Sequence, residues 1–427
     1  MSGFRSPLDA YREDLSRAPG RARLGADDEY WIILATGMRR IAQAPARSRR
    51  PAARRLSTAL AALARQLESA GASSSETVGT ERLTEQKAGS DTGRPAAVAA
   101  AFARFPEADA ASALVTHVRG VAADAEEAGA IVLAREMLTD LGELAGHAPA
   151  LDRGLVLIQL ARTARTLGDL DSARDLLSAA GELGRASSTP ELEVREAAAK
   201  AVLARIRGNY PESRVLFEAA LESALPLRLT DIIGASHHGL MILTSEAGDF
   251  DGALRHGWQA LSAARSHRVR EAEMLINLAQ LCAKAGYDAA ALGGLSAALA
   301  RASRPRLRLP ALAGLAEAAS RIGDAARVSI AEHAIAAEAS ESFPFETARA
   351  WHSLARAHRA LGNRAAADAA AEKAVVITRA HGFFEVLHRL EQEPLAKPAP
   401  LSVGGVAVVK TLESWAGDPT GHYALSG

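Results

Sequence analysis

Twelve histidines, one cysteine and a run of seven arginines are the residues from which this chain could build chemistry. A hydrolytic zinc site on a helix needs two imidazoles one turn apart with a carboxylate between them. No His-Glu-x-x-His occurs, and no pair of histidines stands at i,i+4. His237 and His238 are adjacent, so on a helix their rings diverge by about 100°. Cys282 has no second cysteine to pair with. It reads as a small buried apolar residue and not as a nucleophile, because nothing recognisable around it would stabilise a thiolate. A Gly-x-x-x-x-Gly-Lys-Ser/Thr loop is missing, and no strand leads into Gly-x-Gly-x-x-Gly, so no nucleotide cradle is visible. Gly293-Gly294 falls inside a predicted helix and reads as a point of close packing. The expectation is a chain without catalytic residues, metal or cofactor.

The arginine run comprises Arg39, Arg40, Arg47, Arg49, Arg50, Arg54 and Arg55. Such a cluster can meet nucleic-acid phosphates or an anionic membrane surface. It lacks interleaved aromatics and a helix-turn-helix signature. The favoured reading is a solvated loop and helix face between two predicted helices, Asp27–Ala44 and Pro51–Ala70. The first carries Tyr30, Trp31, Ile33, Leu34 and Met38, and the second Leu56, Leu60, Leu63 and Leu67, two stripes at helical spacing that predict an N-terminal hairpin.

The elements that must position any functional residue are set by a recurring unit, clearest in Leu157–Ala186. Leu157, Leu160, Ala161 and Ala164 share one helix face, and the helix stops at Gly168. Glycine tolerates the left-handed conformation that closes a helix, and Asp169 can cap the next one. The same signature appears at Gly208-Asn209, Gly248-Asp249, Gly323-Asp324 and Gly362-Asn363, with Gly129 and Gly286 keeping the glycine alone. Successive intervals are 39, 40, 40, 38, 37 and 39 residues. Seven residues before each glycine stand Ala122, Ala161, Ala201, Met241, Ala279, Ala316 and Ala355. Five after stand Ala134, Ala173, Ser213, Ala253 and Ala367, with Ala290 slightly shifted in the fifth unit. Small residues at fixed offsets mark where helix backbones approach. Pro149, Pro190, Pro226, Pro305 with Pro310, and Pro344 punctuate the boundaries between units.

A large residue, a Leu-small pair, a Gly-Asp/Asn turn and a small residue early in the second helix resemble the tetratricopeptide repeat (TPR) pattern. Trp351, Leu354-Ala355, Gly362-Asn363 and Ala367 carry it best. The likeness covers roughly residues 107–393, with units several residues longer than the usual length of about 34. It implies an all-α, right-handed α-solenoid of about seven helix-turn-helix repeats preceded by the N-terminal hairpin. It also implies an inner groove lined by the first helix of each unit. Polar residues expected there are Gln159, Arg162, Arg165, His238, Asn277, Gln280, Lys284, Arg321, Arg349, His352, Arg356 and Arg359. Asn277 resembles a groove asparagine that holds a ligand backbone in some family members. The surplus of donors and cations points to an extended or acidic peptide-like partner, although Glu126, Glu127, Glu246, Glu273 and Glu317 make the groove mixed. The lysine and asparagine pattern of a two-carboxylate clamp is missing.

Fifty basic and fifty acidic residues leave no net charge to draw the chain to nucleic acid. Aromatics at 4% against hydrophobics at 48% fit Ala- and Leu-packed helices better than a β-sandwich. MSGFRSPLDAYREDL lacks the apolar core of a signal peptide, and no run reaches the length of a membrane span. A cytoplasmic protein is expected. The organisation read from the sequence is an N-terminal helical region (1–70, with 1–26 loosely ordered), a Ser/Gly-rich flexible linker (71–94), the solenoid (95–393) and a Pro/Gly-containing tail (394–427). Val406, Val408 and Val409 in that tail are apolar enough to dock on the last repeat as a cap. Two roles are then expected: a scaffold or adaptor that binds a protein or peptide, or a regulatory sensor whose Arg-rich segment contacts nucleic acid.

Overall fold

The computed structural model describes residues 26–75, 93–265, 267–302, 304–339, 343–381 and 400–415. The expected loose leader, most of the linker and the tail on either side of 400–415 lie outside the described residues. Within them every regular element is helical.

The helices are α1 (Ala26–Ala42), α2 (Ala46–Ser75), α3 (Gly93–Arg104), α4 (Ala108–Glu127), α5 (Ile131–Leu144), α6 (Ala150–Thr166), α7 (Leu170–Ala186), α8 (Pro190–Ile206) and α9 (Tyr210–Ala224). There follow α10 (Thr230–Glu246), α11 (Phe250–Ala264), α12 (Arg268–Lys284), α13 (Asp288–Arg301), α14 (Pro305–Arg321), α15 (Ala325–Glu338), α16 (Pro344–Ala360), α17 (Arg364–His381) and α18 (Val403–Ser414). The chain divides into two compact units, 1–199 and 200–427, at a point within α8.

The turns explain the period. Gly129, Gly168, Gly208, Gly248, Gly286, Gly323 and Gly362 each lie between two helices with φ between 77° and 85°. At Gly168 the amide donates to Arg165 O at 3.0 Å and the next amide, Asp169 N, donates to Ala164 O at 2.9 Å. That pair satisfies the last carbonyls of α6. The Asp169 side chain then accepts from Ser172 N, and Asn209, Asp249 and Asp324 cap α9, α11 and α15 in the same way. Stop and start therefore occupy three residues. Ala134, Ala173, Ser213, Ala253, Ala290 and Ala367 are each 0–1% exposed. Ser213 adds a hydrogen bond from its Oγ to Ala201 O at 2.8 Å, which only a small hydroxyl can make at that approach. This is a TPR-like array of helical hairpins.

In the first unit, Ile33, Leu34, Met38 and Ile41 of α1 pack with Leu56 and Leu60 of α2, and the same core takes in Phe102, Leu114, Val118, Met137, Leu138 and Leu141. The N-terminal hairpin thus shares one core with the first repeat-like pair. In the second unit the core runs from Met241 to Trp415 and is filled largely by Ala and Leu.

Three sequence expectations change. Helix α2 begins at Ala46, so Pro51 lies inside it, and it continues to Ser75. Arg49, in the first turn of α2, donates to Ala42 O at the end of α1 and to Ala44 O in the connection, and so ties the early start to the preceding helix. Pro310 does not punctuate a boundary with Pro305: it sits inside α14, one turn from the N-terminus. The tail segment is helix α18, and it packs on α11 and α13 rather than over the last hairpin.

Candidate functional site

First helices of the second unit present one face at four recurring positions: 13, 9, 6 and 2 residues before the turn glycine. Steps of four, three and four keep side chains on one side of a helix. On α14 these positions are Pro310, Gly314, Glu317 and Arg321; on α16, Arg349, Ser353 and Arg356; on α12, Asn277, Gln280 and Lys284; on α10, Ile242 and Glu246. All of them line a single cavity of about 450 Å³. Phe250, Asp288 and Leu295 close it from the second-helix side. Its volume comes from small residues at the base, Ala283, Ala313, Gly314 and Ser353. A Cβ on Gly314 would come within 3.2 Å of Leu295 Cδ1, so the base is already in contact with the layer beneath.

The lining is polar and mixed. Lys284 pairs with Glu246 at 3.1 Å, and Arg321 with Asp288 at 2.6 Å and more distantly with Glu317 at 4.0 Å. Arg356 lies 3.9 Å from the other Glu317 oxygen. Arg349 is half-buried and has no ion-pair partner among the described residues. Four cations therefore line the cavity with three carboxylates, one positive charge in excess. Asn277 Nδ2 donates to His238 Nε2 at 3.1 Å, which orients the amide and requires a neutral imidazole. Burial, with the nearby Arg205 cation adding to it, pushes His238 down to about 4.

Of the twelve residues expected in a groove, Asn277, Gln280, Lys284, Arg321, Arg349 and Arg356 share this cavity. His238 stands behind Asn277 as its acceptor. His352 is buried and Arg359 exposed, both off the lining. Gln159, Arg162 and Arg165 lie in the first unit, where two of them join adjacent first helices. Gln159 exchanges hydrogen bonds with Arg119, Nε to Oε1 and Nε2 to O, both at 3.1 Å, and Arg162 pairs with Glu126. Burial raises the Glu126 carboxyl even so.

A pattern links these contacts. Arg119–Gln159, His238–Asn277, Glu246–Lys284 and Glu317–Arg356 each join residues 38–40 apart, so within each unit neighbouring first helices are linked, the first three pairs by hydrogen bonds and the last by an ion pair at 3.9 Å. The expected surplus of cations is in large part neutralised by such neighbours. Sequence reading missed Pro310, Gly314 and Ser353, yet they stand at the same offsets as the polar residues it found. Asp288, on a second helix, had no such signal.

Elsewhere, His237 Nδ1 and His256 Nδ1 face each other at 3.0 Å. Among the described residues no three or more His, Cys, Asp or Glu gather as for a metal ion, and no helix is long and apolar enough to cross a membrane.

No protein-family model matches the sequence, and no curated protein matches it. Among solved structures, the chain is similar to a Rap protein complexed with competence and sporulation factor, at 12% identity and a TM-score of 0.48, covering 83% of this chain and 98% of that one. It is also similar to a signal transduction ATPase with numerous domains and a tetratricopeptide repeat sensor from Pyrococcus horikoshii. There the identity is 13% and the TM-score 0.48, with 88% of this chain covered and just over half, 56%, of that one. The apo form of RapI gives 10% identity and a TM-score of 0.46, over 83% and 98% of the two chains. Likeness at this level is one of helical architecture and does not extend to function.

Proposed function

We propose that this chain is a non-enzymatic scaffold that binds an extended, acidic peptide segment of a protein partner in the cavity between α10, α12, α14 and α16. The observation that carries the reading is the convergence of Asn277 and Gln280 of α12 with Arg349 and Arg356 of α16 on one cavity with one cation in excess of its carboxylates. Asn277 and Gln280 are suited to a peptide backbone, and half-buried Arg349 to a carboxylate through charge-assisted hydrogen bonds. The rival reading, a sensor touching nucleic acid through its arginine run, has less support. Arg39 is engaged by Asp140 and Arg49 by carbonyls of the α1 end, which leaves a shorter exposed cluster.

The test is fluorescence anisotropy with the full chain and a labelled Glu-rich decapeptide, beside a Lys-rich control. A charge-assisted hydrogen bond contributes roughly 1.5–3 kcal/mol, so Arg349→Ala should weaken binding about tenfold to a hundredfold. Binding of both peptides alike, or an affinity unmoved by Arg349→Ala and Asn277→Ala together, would remove the groove from the account.

A further inference from the structure

Helix α13 is unlike the other second helices. A second helix in a stacked array buries one stripe, as α7 does with Ala173, Leu177, Ala180, Gly181 and Gly184. In α13 the buried set is Ala290, Ala291, Leu292, Gly293, Gly294, Leu295, Ala297 and Ala298, a run that covers every side of the helix. A helix that is apolar all round needs a neighbour on each side. Its outer neighbour is α18, whose stripe of Gly405, Val408, Val409 and Leu412 lies at helical spacing and is buried, with Leu412 fully covered.

Both ends of α18 are fastened to α11. At the start, Ser402 donates to Asp251 Oδ1 from its backbone N at 2.9 Å and from its Oγ at 2.7 Å. A Cβ on Gly405 would lie 2.4 Å from that same oxygen, so a larger residue there would push the Asp251 carboxylate from its place. At the end, Trp415 stacks on Trp258 with ring centroids 6.4 Å apart.

The far side of this contact is the groove. A Cβ on Gly294 would meet Leu412 Cδ2 at 3.5 Å on one side and Ala279 Cβ at 2.9 Å on the other. Ala279 belongs to α12, and so does Cys282, close enough to α18 for the Glu413 carboxylate to act on its thiol. The opposite face of α12 carries Asn277, Gln280 and Lys284 into the cavity. Helix α12 is thus held between the tail helix, through α13, and the groove.

We propose that α18 is a strap whose docking on α11 and α13 holds α12 in the position that forms the groove, so that strap docking and groove occupancy favour each other. The part about occupancy rests on the binding reading above; the bracing of α12 does not. Reciprocity is required by linkage: whatever factor the docked strap adds to ligand affinity, the ligand adds to strap docking. No other position in the described segments joins a helix of the tail to a wall of the cavity through a glycine contact.

Cys282 is the reporter, since it is the single cysteine and is fully buried. In the full-length protein, Leu412→Asp places a carboxylate at a covered position and should release the strap. Expected results are iodoacetamide labelling of Cys282 at least tenfold faster, and faster amide exchange over 268–284, with exchange over 344–360 unchanged. The Glu-rich decapeptide should slow Cys282 labelling in the unmodified chain and bind Leu412→Asp at least fivefold more weakly. Trp415→Ala, a gentler loss of the stack, should show the same changes in smaller degree and serves if Leu412→Asp loses its helical circular dichroism. Full exchange of 403–414 with unaltered exchange of 268–284 would overturn the brace, whether or not the peptide binds. Equal peptide affinity in the unmodified and released chains would overturn the coupling. A chain that binds no peptide, yet responds over 268–284, would refute the groove reading and leave the brace standing.

Discussion

Lowering the pH from 7 to 5 should destabilise the second unit through His238. Its imidazole is neutral in the folded chain, held near pKa 4 by burial and by the Arg205 cation, against 6.5 for the free side chain. The folded pKa lies below the unfolded one, so on acidification the unfolded chain takes up the proton first. The contribution to stability is complete above about 6.5, falls as the pH drops from there toward 4, and is fully lost below. At pH 5 the difference in proton binding corresponds to a loss of about 2 kcal/mol from this one residue. His237 and His256 are displaced in the same direction, mainly by burial, and add to the total. The separation comes from His238→Gln, which can still accept from Asn277 but does not titrate. Urea unfolding followed by tryptophan fluorescence at pH 7 and pH 5 should show the unmodified chain losing roughly 2 kcal/mol more than the variant. Equal losses in the two proteins would refute the desolvation argument. Protonation also turns Nε2 into a donor, so Asn277 loses its acceptor and the groove amide its orientation.

Three further outcomes follow from the turns and the core. Gly248 has φ +82° and nothing within 4 Å of an added Cβ, so Gly248→Ala should cost only backbone strain, about 1–2 kcal/mol in a urea titration, and Gly248→Asn less. A Cβ on Gly239 would lie 2.2 Å from Phe217 Cζ; Gly239→Ala should cost about 1–3 kcal/mol by overpacking, visible as a lowered Tm. Asp249→Ala removes an acceptor 2.8 Å from Gly252 N and should cost about 1 kcal/mol, measured as faster amide exchange in the first turn of α11.

The turn glycines and the caps were readable in the linear chain because each depends on residues within five of one another, and the period is their recurrence every 37–40 residues. A helix closes through bonds from C′ and C″ back to its own last turn, and Asp169 caps through a residue three positions on. The same holds for the stripe Leu56, Leu60, Leu63 that places α1 on α2, and for the inner face itself, which falls at constant offsets from each glycine. Asn277, Gln280, Lys284, Arg321, Arg349 and Arg356 were expected there from the resemblance to the repeat family, whose first helices line the groove.

Tertiary structure decided what became of those side chains. Lys284, Arg321 and Arg356 are cations by sequence, but each meets a carboxylate on another helix, 33–39 residues away, so that Arg349 alone remains in excess. Gln159 and Arg162 became links between helices for the same reason. Nothing local in VGGVAVVKTLES says that its receptor is α11 and α13, with Asp251 joined to Ser402 across 151 residues. Period and capping are local energies and repeat wherever the residues repeat; which surface a spare apolar helix covers depends on where small residues leave room for it.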